Sequence, residues 1–344
     1  MRMTKIEVCG YGCYIPRFRI KREEIQNVWG HFEGKIKEKA VMGYDEDTTT
    51  MAVEAAKNAI ANAKVKREDI SVIAVGSSSP PYALRSMAAE LAMAIGISQN
   101  SRFLDFKESE KAGTTALLTC SDIIANQGGL GLVVGSDAPI SIASDSIENA
   151  YGASAAALIV GKSKGLAELE GSATASIEFI ADRFRKDGSL LVEDLGIPQY
   201  YQMAYTKSIQ QAVTQLLGNL GLKATDFQHV FIQGHDTQEP TRVLRKIGVD
   251  KTKLNTNTIN LIGDTAAASV LTGLVGLLEI ANPGERILCV SYGSGAGSDA
   301  FSVLVKEKQE ILENVPIMNT YLENKNFIDY NQYLKFKELI NLES

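Results

Sequence analysis

The stretch Phe106–Cys120, FKESEKAGTTALLTC, decides how this chain is read. A strand ending near Phe106 is predicted to turn sharply into a helix of small residues, Ala112, Gly113, Thr114, Thr115 and Ala116. The free N–H groups of such a helix start lower the pKa of a thiol placed there. This is the setting of an acyl-accepting nucleophile. Yet the residue before Lys111-Ala112-Gly113-Thr114 is Glu110. A carboxylate sits comfortably at a helix N-terminus, but it forms no thioester and is a poor substitute for a cysteine acyl carrier.

Outward from this point the chain reads as one pattern written twice. Helix MAVEAAKNAIANA, a turn with KREDI and strand VIAVGSS match helix KSIQQAVTQLLGNLGL, a turn with KATDF and strand HVFIQG. The helix KAGTTALLTCSDIIANQ, the break at Gly128-Gly129 and the strands LGLVVGSD and GASAAALIVG come next. They match GDTAAASVLTGLVGLLEIA, the break at Pro283-Gly284, RILCVSYGS and GSDAFSVLVK. Near-continuous apolar strands predict mixed sheets covered on both faces, and helices made of small residues suit burial between two sheets. The expected architecture is α/β, with five layers αβαβα and two pseudo-symmetric halves, residues 1–165 and 166–306. An insertion is expected near 177–205, and a polar tail over 307–344.

With 344 residues, 45% hydrophobic and 22% charged, the composition fits a globular protein with two cores or one large double unit. A net charge of -6 with scattered Lys and Arg argues against nucleic acid as a partner. No stretch is apolar for about 18 residues and MRMTKIEVCGYG lacks a leader pattern, so a cytoplasmic protein without membrane contact is expected. Cys9, Cys13, Cys120 and Cys289 form no CxxC pair and have no His at ligand spacing, so no metal site is expected. Cys120 and Cys289 read as core residues.

Several motifs resemble, in order and along nearly the whole chain, the thiolase superfamily. Within it they resemble the 3-hydroxy-3-methylglutaryl-CoA synthases and the related ketoacyl synthase III enzymes. They are Gly10-Tyr11-Gly12 with Ile15-Pro16, Asp45-Glu46-Asp47, VGSSSPPYA from Val75, and Lys111-Ala112-Gly113-Thr114. Further along come ADRFRKDG from Ala181, Ala204-Tyr205 with Lys207, LGLKATDF from Leu220, VSYGSGAGSDAF from Val290, and the tail FIDYNQYLKFKEL. The resemblance implies a thiolase-like fold and four catalytic positions, all of them changed here. Ser78 stands at the general-base Glu, Glu110 at the nucleophilic Cys, Ile232 at the His and Asp264 at the Asn.

Other residues offer substitutes. His235, three residues beyond Ile232, is either a base or donor brought into the pocket by a local insertion, or an ordinary loop histidine. His31 and His229 have weaker cases. Glu110 and Asp264, facing each other across the pseudo-dyad, read as a carboxylate pair, as caps on their own helices, or as an inhibitory charge that repels an anionic acyl group. Arg242, Arg245 and Lys246 share a helix face. Together with Arg183, Arg185 and Lys186, they match where the family holds the phosphates of coenzyme A; otherwise that face is simply solvated. Tyr205 belongs with the same substrate-binding set. Gly293 and Gly295 lie in a glycine run that the resemblance places at the active-site lining and that otherwise makes a plain turn.

The resemblance implies a synthase-like subunit without acyl-enzyme chemistry, of the type found in the bacterial phloroglucinol acetyltransferase complex. Its expected partners are a second copy of itself, a thiolase-like catalytic subunit and an OB-fold zinc-ribbon acyl-binding protein. No permanently bound cofactor is expected, and a coenzyme A thioester is a candidate substrate. The alternative is an active divergent synthase, acyltransferase or decarboxylase working without a covalent intermediate.

Overall fold

The computed structural model describes residues 5–30, 35–143, 147–163, 165–177, 183–194 and 196–339. His31 and the first two residues of the 181–188 motif lie outside them. The main sheet has nine strands: β1 (Ile6–Tyr14), β2 (Ile70–Gly76), β3 (Arg102–Phe106), β4 (Leu130–Asp137), β5 (Ser154–Gly161), β6 (Ala167–Ala175), β7 (His229–Ile232), β8 (Arg286–Val290) and β9 (Ser298–Val305). Their order is β7-β8-β9-β6-β1-β5-β4-β2-β3. Read from the centre outward, the two sides are copies. β1, β5 and β4 pair antiparallel and β4, β2 and β3 parallel; β6, β9 and β8 pair antiparallel and β8 and β7 parallel. A parallel bridge from Val230 to Leu254 stands where the first half has its edge strand. The halves join where Ile6–Val8 pairs with Ala167–Leu169.

Six helices make the other layers: α1 (Thr48–Ala63), α2 (Met87–Ile95), α3 (Ala112–Gln127), α4 (Pro198–Leu220), α5 (Gln238–Ile247) and α6 (Ser269–Ile280). The strands sort their side chains between layers with the period-2 alternation of a pleated strand. In β5, Ala156, Leu158 and Val160 face the middle layer with Leu117 and Cys120 of α3 and Leu271 and Leu274 of α6. Ala155, Ala157 and Ile159 face the other way, toward Ala52 and Ala56 of α1 and Leu91 of α2. In β8, Ile287 and Cys289 join the middle core while Leu288 and Val290 pack outward with Ile209 and Val213 of α4 and Val243 of α5. The result is the five-layer thiolase-like arrangement. The middle layer admits two helices because α3 is built of small residues; a Cβ at Gly113 would collide with the Ala267 carbonyl.

Two boundaries differ from the sequence reading. Helix α1 starts at Thr48, ahead of Met51, because Asp47 and Thr50 form a reciprocal cap. Helix α4 starts at Pro198, so the end of the expected insertion is helical: Pro suits a first turn, and Tyr201, Tyr205 and Ser208 follow at helical spacing. The segment after β9 is no loose appendage. Asn326–Phe327 adds to the strand Phe18–Lys21, and Tyr330 and Tyr333 bury against Ile20, Ile25 and Val41.

Candidate active site

The sharp turns after β3 and before α6 bring Glu110 and Asp264 into the same buried region, with 7% and 0% exposure. They do not touch each other as a carboxylate pair; a chain of groups links them. The Tyr151 hydroxyl donates to Glu110 Oε1, and Arg183 Nη1 lies 3.8 Å from the same oxygen. The Arg183 guanidinium rests against the His235 imidazole, whose Nδ1 is 2.7 Å from Asp264 Oδ2. Glu110 Oε2 accepts from the Ser294 N–H at 3.4 Å and its hydroxyl at 3.2 Å. Glu110 does not cap its own helix, since its oxygens are taken by groups from other segments. Asp264 does act as a local cap, with Oδ1 accepting from the Ala266 N–H at 3.0 Å.

Carboxylates stand at the two ends of this chain, and the basic groups Arg183 and His235 meet in its middle. Burial and the Arg183 charge oppose protonation of His235, but Glu239 and Asp264 outweigh them, and its pKa rises above the usual imidazole value. Burial, then Glu110, hold the Tyr151 phenol protonated well beyond its ordinary range. Burial also disfavours the Arg183 charge, but Tyr151 and Glu110 more than offset it. Tyr201 caps the arrangement: its ring lies 5.1 Å from His235 and 5.3 Å from the Arg183 guanidinium.

A cleft of about 150 Å³ opens above Glu110, lined by Ser78, Arg183, Arg185 and Ser294 among others. This is below the roughly 300–1,000 Å³ of common small-molecule sites. Ser78 borders it, but its N–H and hydroxyl donate to the buried Asp137 at 2.9 and 2.7 Å and its carbonyl accepts from Arg185 at 3.0 Å. Gly293 lies against the start of α3, where a Cβ would come within 2.8 Å of Ser109 Oγ and 2.9 Å of the Lys111 N–H; Gly295 has a φ of +70°. The glycine run is thus a close crossing that delivers Ser294 to Glu110.

Only some of the residues expected at the site meet at the cleft. Ile232 faces outward into the core beneath α4 and α5, while Gln233, one residue on, enters the site. Gln233 donates to the Glu110 and Ala266 carbonyls at 3.3 and 3.1 Å. His235 is buried behind Arg183 and is not among the groups lining the cleft. Arg242, Arg245 and Lys246 are exposed on the solvent face of α5, and Lys186 pairs with Glu193 at 3.0 Å; only Arg183 and Arg185 of the basic set reach the cleft. Tyr205 turns its hydroxyl to the Gln233 carbonyl at 2.6 Å, beneath the site. His229 pairs with Glu285 at 2.9 Å, at the opposite end of β7. Sequence reading missed Tyr151, Gln233 and Tyr201. Ser294 alone had a signal, the glycine run around it.

The four cysteines are elsewhere. Cys13, Cys120 and Cys289 are in the middle core, and burial pushes the Cys120 thiol up to about 12 and that of Cys9, on β1 against the core beneath α1, up to about 11. Among the described residues no group of three or more His, Cys, Asp or Glu is placed to hold a metal ion, and no helix is long and apolar enough to cross a membrane.

Compared with models of known protein families, the chain matches none. It superposes on HMG-CoA synthase complexed with CoA with a TM-score of 0.85 at 18% identity, over 99% of this chain and 91% of that one. With 3-oxoacyl-[acyl-carrier-protein] synthase III from Aquifex aeolicus the TM-score is 0.77 at 19% identity, over 87% and 99%. These likenesses concern the fold. In sequence it is 37% identical to the hydroxymethylglutaryl-CoA synthase of Methanopyrus kandleri over 97% of both chains, and 35% identical to that of Pyrococcus horikoshii over 96% of this chain and 95% of the other. With that identity sustained from end to end, the chain belongs to the hydroxymethylglutaryl-CoA synthase family of the thiolase superfamily.

Proposed function

We propose that this chain is a pocket-forming subunit of an acyltransferase assembly and carries no acyl-enzyme chemistry of its own. One observation supports the reading above the others. Where the resemblance puts the nucleophilic cysteine, Glu110 is clamped by Tyr151, Arg183 and Ser294. A carboxylate so held has its lone pairs engaged and forms no thioester. Of the cysteines that are present, Cys13, Cys120 and Cys289 are buried and Cys9 is half-buried, and burial raises the pKa of each, which disfavours the thiolate. The expected partners remain a thiolase-like subunit and a zinc-ribbon acyl-binding protein, as in the phloroglucinol acetyltransferase type. A second copy would join through β3, which among the described residues pairs only with β2 and leaves an open edge. In this reading the protein works in the cytoplasm, where its free thiols stay reduced.

Radiolabelled acetyl-CoA tests this. The isolated chain is expected to turn over nothing and to take no covalent adduct by mass spectrometry, while the co-expressed assembly transfers acetyl groups. An adduct on the isolated chain overturns the proposal. Glu110→Cys is expected to restore acylation if the pocket is otherwise intact.

A second reading rests on the ion pair between His235 and Asp264, a protonated imidazole held ready as an acid on a bound thioester. It requires Arg183 to move aside, because Arg183 lies between His235 and the cleft. Turnover by the isolated chain that is lost in His235→Gln would favour it.

A further inference from the structure

A second concavity, of about 420 Å³, lies at the other end of β2 from the cleft. Ser78 and the cleft follow the last residue of β2, whereas this concavity is built on Lys66 and Arg67, just before its first. The floor is Ile60 and Ile95, and the rim carries Lys57, Lys64, Lys66 and Arg67 against one lining carboxylate, Glu68. Such a concentration of positive charge is unexpected in a chain of net charge -6. Lys57 and Lys64 pair with the exposed acids Glu54 and Glu310, contacts of a kind that water and salt readily replace. Lys66 and Arg67 make no ion pair or side-chain hydrogen bond among the described residues.

The backbone adds an independent sign. Helices α2, α4 and α5 end in a left-handed cap made by Gly96, Gly221 and Gly248. Helix α1 ends in the same conformation with Lys64, at a φ of +53°. A side chain is strained there relative to glycine, and such outliers persist where surroundings or function require them. At this position the side chain is Lys64, on the rim.

We propose that this concavity is a second ligand site, for a small phosphorylated anion with an apolar or aromatic body, of the nucleoside diphosphate class. Lysine ammoniums and the Arg67 fork are phosphate donors. Ala61 and Val65, above the buried Ile60 and Ile95, offer apolar surface for the body, and the volume is in the range of small-molecule sites, roughly 300–1,000 Å³. The site does not depend on the role proposed for Glu110.

Calorimetric titration of the full chain with ADP, and separately with pyrophosphate, tests it. Saturable one-to-one binding of ADP is expected, tighter than that of pyrophosphate and weakened by salt. Lys66→Glu combined with Arg67→Glu should weaken it by about tenfold or more, and Arg185→Glu at the cleft by less than about twofold. The milder pair Lys66→Gln with Arg67→Gln, with unchanged circular dichroism, guards against misfolding. No saturable binding of either probe overturns the site. Binding that is lost in Arg185→Glu but kept in the rim variants also overturns it, by assigning the ligand to the cleft. Equal affinity for ADP and pyrophosphate overturns the apolar half of the assignment.

Discussion

The start of α3 and the segment leading into α6 hold matching places in the two halves, and each brings a buried carboxylate to the same region. Their attachments differ. Asp264 has one local tie and several distant ones: its side chain caps the Ala266 N–H, at a residue with a φ of +43°, and pairs with His235, while its backbone exchanges bonds with Ala150 and Gly152. Glu110 is tied only at a distance, to Tyr151, Arg183 and Ser294. The two places match in topology, but their backbones and side chains do different tasks. Asp264 holds a strained turn together, and Glu110 fastens three segments across the pseudo-dyad.

The largest expected effect comes from Asp264→Ala. It strands the His235 charge and the Ala266 N–H in a fully buried place, where breaking a pair costs about 3–5 kcal/mol. Urea unfolding should show that loss. Glu110→Ala should cost less, about 1–3 kcal/mol, because the cleft lets water reach the groups it leaves behind. Equal losses in the two variants would break the comparison.

The fold was legible because its signals are collective. Strand β4 matches LGLVVGSD residue for residue, since an apolar run closed by Gly128-Gly129 on one side leaves little freedom. The site was legible only in part. Ile232 and Gln233 show why: side chains alternate along a strand, so an uncertainty of one residue exchanges the core face for the site face. Tyr151 follows no local pattern at all. It reaches Glu110 because the loop before β5 packs beside the start of α3, a proximity that only the tertiary fold creates. Arg183 and Arg242 were grouped by sign of charge, yet Arg183 is buried in the site and Arg242 faces solvent, which composition and spacing do not distinguish.

The pH dependence sharpens the Asp264 side of the comparison. His235 has a folded pKa above the ordinary imidazole value of about 6.5. Its contribution to stability is therefore fully present below that value and is lost as pH rises through the folded pKa. Lys39, which burial pulls down to about 7, acts in the opposite sense, losing stability as pH falls. The wild-type profile mixes both. Subtracting the profile of His235→Gln isolates the imidazole: the difference in unfolding free energy should shrink as pH rises above 6.5. A difference that grows with pH would show that Asp264 does not hold His235 charged.

Glu110→Gln should give the smallest change and separates shape from charge at the other carboxylate. The amide keeps an oxygen for the Tyr151 hydroxyl or for Ser294, so most of the hydrogen bonding survives. What is lost is the negative charge beside Arg183, and the expected cost in stability is about 1 kcal/mol or less. Binding reads the same change with the opposite sign. With the charge removed, the cleft no longer repels an anionic acyl group, and Arg183 gains a free side toward the ligand. Malonyl-CoA should then bind this variant more tightly than the wild type, while acetyl-CoA, whose acyl group is neutral, should gain little. If both thioesters gain equally, Glu110 obstructs the cleft by its bulk and not by its charge.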